Sequence, residues 1–79
     1  MRILFFAHLK NAARCASVEI DFRGEIDADI LWQRLLADYP ELKRYQPSVR
    51  LARNNTYATA GTRFSNTDEV ALIPPVSGG

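Results

Sequence analysis

The chain has one cysteine, Cys15, and one histidine, His8. With a single thiol no disulfide forms within it, which suits a reducing compartment and sets the expectation of a cytoplasmic protein. No His/Cys cluster has metal-ligand spacing, and no HExxH, GxSxG or glycine-rich phosphate loop occurs. A self-sufficient enzyme is therefore not expected, nor any permanently bound cofactor. If there is chemistry, it uses the chain's end or a partner's residues. There is no run of 18 apolar residues, and Met1-Arg2 leads straight into a strand-like segment rather than a signal peptide, so no membrane partner is expected. An excess of one charge is missing too. Ten Lys/Arg stand against nine Asp/Glu with no long basic run, which argues against nucleic acid. Seventy-nine residues make one domain, 1–79, with one small core.

What is present, and most informative, is the ending Pro74-Pro75-Val76-Ser77-Gly78-Gly79. Folding gives no reason to finish on two residues without side chains, and glycine loses the most entropy on ordering. The expectation is a terminal carboxylate on a thin, flexible arm, residues 74–79. A stiff proline stem carries it, and it fits a partner's channel where a side chain would clash.

Upstream, Ile3-Leu4-Phe5-Phe6-Ala7 is short, apolar and aromatic, and predicts a buried strand. Lys10 to Arg14 reads as a loop or a short helical turn. Val18-Glu19-Ile20-Asp21-Phe22 alternates with period two, as a half-buried strand does. Arg23-Gly24 reads as a turn. Asp27 reads as a helix N-cap with Asp29 in the first turn, and Leu31, Leu35, Leu36 and Tyr39 give the helix from Ala28 one apolar face. Pro40 ends it, with one more turn over Glu41–Tyr45. Ser48–Arg53 and Thr56–Thr59 predict two more strands around an Asn54-Asn55 turn, and Glu69–Ile73 a last strand stopped by Pro74-Pro75. The order ββ, helix, then two or three strands implies α+β, with a mixed sheet of four to five strands and the helix across one face. The first and last strands, both short and apolar, fit a central parallel pair. This is the β-grasp, or ubiquitin-like, plan.

One helix covers one face of a sheet, so alternation leaves the other bare. Ile3, Phe5, Ala7, Val70 and Leu72 are expected under the helix. Leu4, Phe6, Ala71 and Ile73 are expected opposite, with Tyr57 nearby. Phe6, Tyr57 and Ile73 are thus the candidate docking residues of an exposed apolar patch. Other residues read blandly: His8 as a surface position at a strand end, Cys15 as an inert thiol, Trp32 as helix packing. Arg50, Arg53 and Arg63 either rim the tail side or form a solvated face.

The opening Ile3–Ala7 and the closing Asp68-Glu69-Val70-Ala71-Leu72-Ile73-Pro74-Pro75-Val76-Ser77-Gly78-Gly79 together resemble the small subunit of molybdopterin synthase. The ending is the specific match; Arg23–Asn66 matches as pattern alone. Asn66-Thr67-Asp68 departs from it, since family members often carry Gly before the Asp. The resemblance implies a sulfur carrier for molybdenum cofactor biosynthesis. A ubiquitin-activating-like adenylyltransferase uses ATP to adenylate the terminal glycine. A sulfur donor converts it to a thiocarboxylate, and the large synthase subunit receives the tail and passes the sulfur to a cyclic pyranopterin. Gly79 is the implied sulfur-bearing residue and Gly78 the source of clearance, with Pro74, Pro75, Val76 and Ser77 as partner-contacting stem and a heterotetramer as the assembly. Three other readings stand beside it: a carrier for thiamine or tRNA thiolation, a ubiquitin-like modifier of protein lysines, and a plain binding module.

Overall fold

A computed structural model describes residues 1–74. Its elements are β1 (Arg2–Phe5), α1 (His8–Ala13), β2 (Ser17–Glu19), β3 (Glu25–Ile26), α2 (Ala28–Asp38), β4 (Arg50–Arg53), β5 (Thr56–Tyr57), β6 (Phe64–Ser65) and β7 (Glu69–Ile73). Two 3-10 turns, Pro40–Arg44 and Gln46–Ser48, connect α2 to β4. The main sheet runs β2-β1-β7-β4-β5, and β3 pairs with β6 in a separate two-stranded ribbon. As expected, β1 and β7 lie parallel at the centre, and their neighbours β2 and β4 pair antiparallel. This mixed sheet with its helix is the β-grasp arrangement.

The register separates the two faces. Ile3 pairs with Val70, and Phe5 with Leu72, which pairs in turn with Leu51. All five belong to the buried core, together with Leu31, Trp32 and Leu35 of α2. Leu9 and Ala13 of α1, Leu42 of the first 3-10 turn, Phe64 of β6, and Met1, Ile20 and Ile26 complete it. The Phe5 and Tyr39 rings meet edge-on at 5.7 Å and fasten the end of α2 to β1. Trp32 is buried here, in the packing role expected of it.

The helix begins and stops as its sequence requires. The Asp27 carboxylate accepts the Ile30 N–H at 2.9 Å, satisfying a donor that the first turn leaves free. At the other end the Tyr39 N–H still bonds the Leu35 carbonyl at 2.7 Å, but Pro40 has no N–H to give and starts the 3-10 turn instead. Asn54 and Asn55 both take positive φ, 49° and 73°, the conformation a tight two-residue hairpin turn needs. Gly24 (φ 67°) sits in the predicted Arg23-Gly24 turn, where a side chain would be strained.

Several boundaries differ from the sequence reading. The first strand stops at Phe5, not Ala7. Ala7 is instead exposed, with φ 53°, as the residue preceding α1, whose first bonds run from Leu9 N–H to Phe6 O and Lys10 N–H to Ala7 O. Lys10–Arg14, left open between loop and helical turn, contains the end of that helix, and Arg14 closes it in the left-handed conformation. The second strand ends at Glu19 because its partner runs out. Glu19 pairs with Arg2, and one further bond joins the Ile20 N–H to the Met1 carbonyl. Ser48 lies in a 3-10 turn, so β4 starts at Arg50. β3 and β6 had no counterpart in the reading. Two residues are too few to show a period, and only their mutual pairing defines them.

Candidate functional site

The face opposite the helix is built on a single row of register partners, Leu4, Ala71, Ala52 and Tyr57, running across β1, β7, β4 and β5. Alternation adds Ile73 at one end of β7 and Glu69 at the other. Phe6, one residue past β1, continues the same side. Together with Asn55 these eight residues line a shallow groove of about 300 Å³.

Its middle is apolar and uncovered. Phe6 is 45% exposed and Tyr57 50%, two of the three large apolar side chains left exposed among the described residues; Ile73 is half-buried. The small side chains of Ala52 and Ala71 form the floor, so the larger side chains of Leu4, Phe6, Tyr57 and Ile73 frame a depression. An exposed apolar depression of this kind is the candidate interaction surface of the fold. Among the described residues no three His, Cys, Asp or Glu side chains are grouped so as to hold a metal ion.

The sequence reading thus placed Phe6, Tyr57 and Ile73 correctly on one face, together with Leu4 and Ala71. It missed the contribution of Ala52, Asn55 and Glu69. The signal was available for Ala52 and Glu69, because the alternation that puts Leu51 and Val70 inside puts both of these outside. Ala7, expected under the helix, is not in the sheet. Pro74 is half-buried directly after β7, while Pro75, Val76, Ser77, Gly78 and Gly79 lie outside the described residues.

The three arginines separate. The Arg50 guanidinium carbon lies 4.0 Å from the centroid of the Tyr57 ring, a cation–π stack at the groove's edge. Arg53 turns the other way, its Nη1 donating to the Arg63 carbonyl at 2.6 Å. Of the remaining residues, His8 begins α1 as an exposed side chain with its ring 4.8 Å from that of Tyr45. The half-buried Cys15 thiol donates to the Ala13 carbonyl at 3.4 Å. Burial, and next the neighbouring Cys15, push the Tyr39 phenol above its ordinary value.

The base of the groove is held by Asp68, just before β7. Its carboxylate accepts the Ser65 N–H at 2.8 Å and the Asn54 side-chain amide at 2.9 Å. The Asn54 side-chain oxygen in turn accepts the Glu69 N–H at 2.9 Å. Desolvation pushes the Asp68 carboxyl up. The bonds from Ser65 and Asn54, with the nearby Arg53 charge, outweigh it and hold the group below its usual range. Next to it, the Asn66 side-chain oxygen accepts from the Met1 ammonium at 3.0 Å.

Fold and groove define a small ubiquitin-like domain with an apolar groove on the sheet face opposite its helix. The chain belongs to the ThiS family, whose model matches residues 3–79. It is 33% identical to the molybdopterin synthase sulfur carrier subunit of Caenorhabditis elegans, over 100% of this chain and 96% of that protein. It is 30% identical to the protein of the same name from Mycobacterium tuberculosis, again over 100% of this chain and 96% of that protein. Among solved structures it is similar to SAMP1, the small archaeal modifier protein 1 of Haloferax volcanii. That likeness has a TM-score of 0.85 and 30% identity, and covers 100% of this chain and 98% of the other. Among the described residues no helix is long and apolar enough to cross a membrane.

Proposed function

We propose that this protein is the sulfur carrier subunit of a molybdopterin synthase, with Gly79 as the residue that bears the sulfur. The observation that carries the reading is the continuity of β7. The strand forms the centre of the bare face and leads directly into Pro74, so a partner seated on the groove is brought beside the root of the Pro74–Gly79 segment. Full-length relatives that bear the name of sulfur carrier subunit point the same way.

The chemistry suits a chain with no catalytic cluster of its own. A carboxylate is a poor electrophile and needs a leaving group. In the adenylyltransferase the Gly79 carboxylate attacks the α-phosphorus of ATP, releasing pyrophosphate and forming an acyl-adenylate. Sulfide-level sulfur delivered by a donor then attacks the acyl carbon, expels AMP and leaves a thiocarboxylate, a good sulfur nucleophile that needs no cysteine to carry it. In the large synthase subunit that sulfur passes to the cyclic pyranopterin, and two such transfers complete the dithiolene. Acid–base groups come from the partner. Gly78 supplies clearance in the channel, and Pro74, Pro75, Val76 and Ser77 line its entrance. Phe6, Tyr57 and Ile73 dock the large subunit and the adenylyltransferase in turn. ATP is a co-substrate of the activating enzyme, with no resident cofactor on this chain.

The test is the intact mass of the protein after incubation with ATP, an activating enzyme and a sulfur source. Replacement of one oxygen by one sulfur, localised to Gly79, supports the reading. No change beside a control carrier that is converted by the same enzyme overturns it. A second reading, a ubiquitin-like modifier, is raised by the name of the similar archaeal protein and is separated by experiment. It predicts Gly79 joined to protein lysines by isopeptide bonds, which the same mass spectrometry on cell lysate detects. Transfer of the sulfur to a thiamine or tRNA precursor in place of the pyranopterin would assign the carrier to another pathway.

A further inference from the structure

We infer that Arg50 is a specificity-determining residue of the docking face, reading a carboxylate on the large subunit that covers the groove. The inference rests on the proposed docking role and adds the chemistry of the partner to it.

Arg50 is exposed and pairs in register with Ile73, at the end of the face where β7 leads into Pro74. Its guanidinium lies against the Tyr57 ring, 4.0 Å from the centroid, and Tyr57 is a wall of the groove. The contact holds the guanidinium over the ring face, and a guanidinium held this way keeps N–H donors for a partner. Two other arginines use these donors internally, Arg34 on the Asp21 carbonyl and the Asp38 carboxylate and Arg53 on the Arg63 carbonyl, whereas Arg50 is the one held against a wall of the groove. Among the described residues no carboxylate lies within ion-pair distance of Arg50, and no acceptor takes a hydrogen bond from it.

A partner that fills the groove also covers the outer face of this stack. Removing an unpaired guanidinium from water is costly, and leaving its donors unmatched would oppose binding. A partner that docks tightly therefore brings an acceptor to this point, and a carboxylate matches the planar fork best. The expected complementary surface is an apolar projection for the groove, flanked on the tail side by Asp or Glu.

The experiment is calorimetric titration of the full chain with the large subunit at two salt concentrations. It compares the unaltered protein with Arg50→Leu, Arg50→Lys, Arg23→Leu and Phe6→Asp. Arg50→Leu keeps an apolar cover on Tyr57 while losing the charge. It is expected to weaken binding about tenfold or more and to flatten the salt dependence. Arg50→Lys restores part of the loss. Arg23→Leu removes the same charge at a turn outside the groove and leaves affinity and salt dependence in place. If the thermal midpoint of Arg50→Leu falls, Arg50→Gln replaces it in the comparison. Unchanged binding by the Arg50 variant, with binding lost in Phe6→Asp, overturns the inference and leaves the docking role standing. Unchanged binding in both overturns the docking role as well.

Discussion

Ala7 has φ 53° and ψ −133°, a region that a residue with a Cβ enters only at a cost of about 1–3 kcal/mol. The strain is held by what flanks it: Phe5 is fixed in the core, and α1 starts at once with Leu9 buried. Replacing Ala7 by glycine removes the clash, partly offset by the greater freedom of glycine in the unfolded chain. Ala7→Gly is expected to raise the unfolding free energy by about 1 kcal/mol in urea titration. Asp68 works in the opposite sense. Its carboxyl titrates lower in the fold than in the unfolded chain, so its contribution is present above the unfolded value, about pH 4, and is lost as pH falls through the folded value. Asp68→Asn is expected to cost about 1–2 kcal/mol at neutral pH, with the gap to the unaltered protein closing as acid is added. A gap that stays constant with pH would contradict the assignment.

At the scale of the element, β7 divides its residues between the core and the groove. Val70 and Leu72 are fully buried, while Ala71 and Ile73 lie on the groove. A substitution therefore reports on stability or on docking according to its parity. Leu72→Ala removes packing against Phe5 and Leu51 and is expected to lower stability by about 2–5 kcal/mol. Phe6→Asp, on the exposed side, is expected to change stability by less than about 1 kcal/mol. It should abolish measurable binding to the large subunit and to the adenylyltransferase. Circular dichroism melts and titration calorimetry on both variants separate the two effects. A Phe6→Asp protein that binds like the unaltered chain would remove the face from the mechanism.

For the whole molecule, the proposal divides recognition from chemistry. The groove lies on a rigid five-stranded sheet, and the reacting group is assigned to the far end of Pro74–Gly79. Deleting Gly78-Gly79 is then expected to leave affinity for the large subunit within about threefold, since the fold and groove are intact. Conversion to the thiocarboxylate should vanish, as should product formation in the reconstituted synthase. Loss of affinity on deletion, measured alongside an unchanged thermal melt, would show that the tail itself supplies most of the binding.

The local codes were legible in the chain. Asp27 announced the start of α2 and Pro40 its end; Asn54-Asn55 announced the hairpin; period two sorted β7 into two faces. These signals are short-range, set by one capping side chain, one missing N–H or one side-chain alternation. The β-grasp plan followed because the order of elements and two short apolar end strands left few ways to build one sheet under one helix. What the sequence could not decide depends on partners distant along the chain. β2 ends where β1 begins, β3 exists only because β6 pairs with it, and the first strand gives way to α1 at a strained alanine. The contact of Arg50 with Tyr57 needed β4 and β5 side by side before a surface arginine met a wall of the groove. The sequence thus determined which residues face in and out. The tertiary structure decided where each strand stops and which exposed side chains meet, because long-range pairing and packing are settled only when the whole sheet has formed.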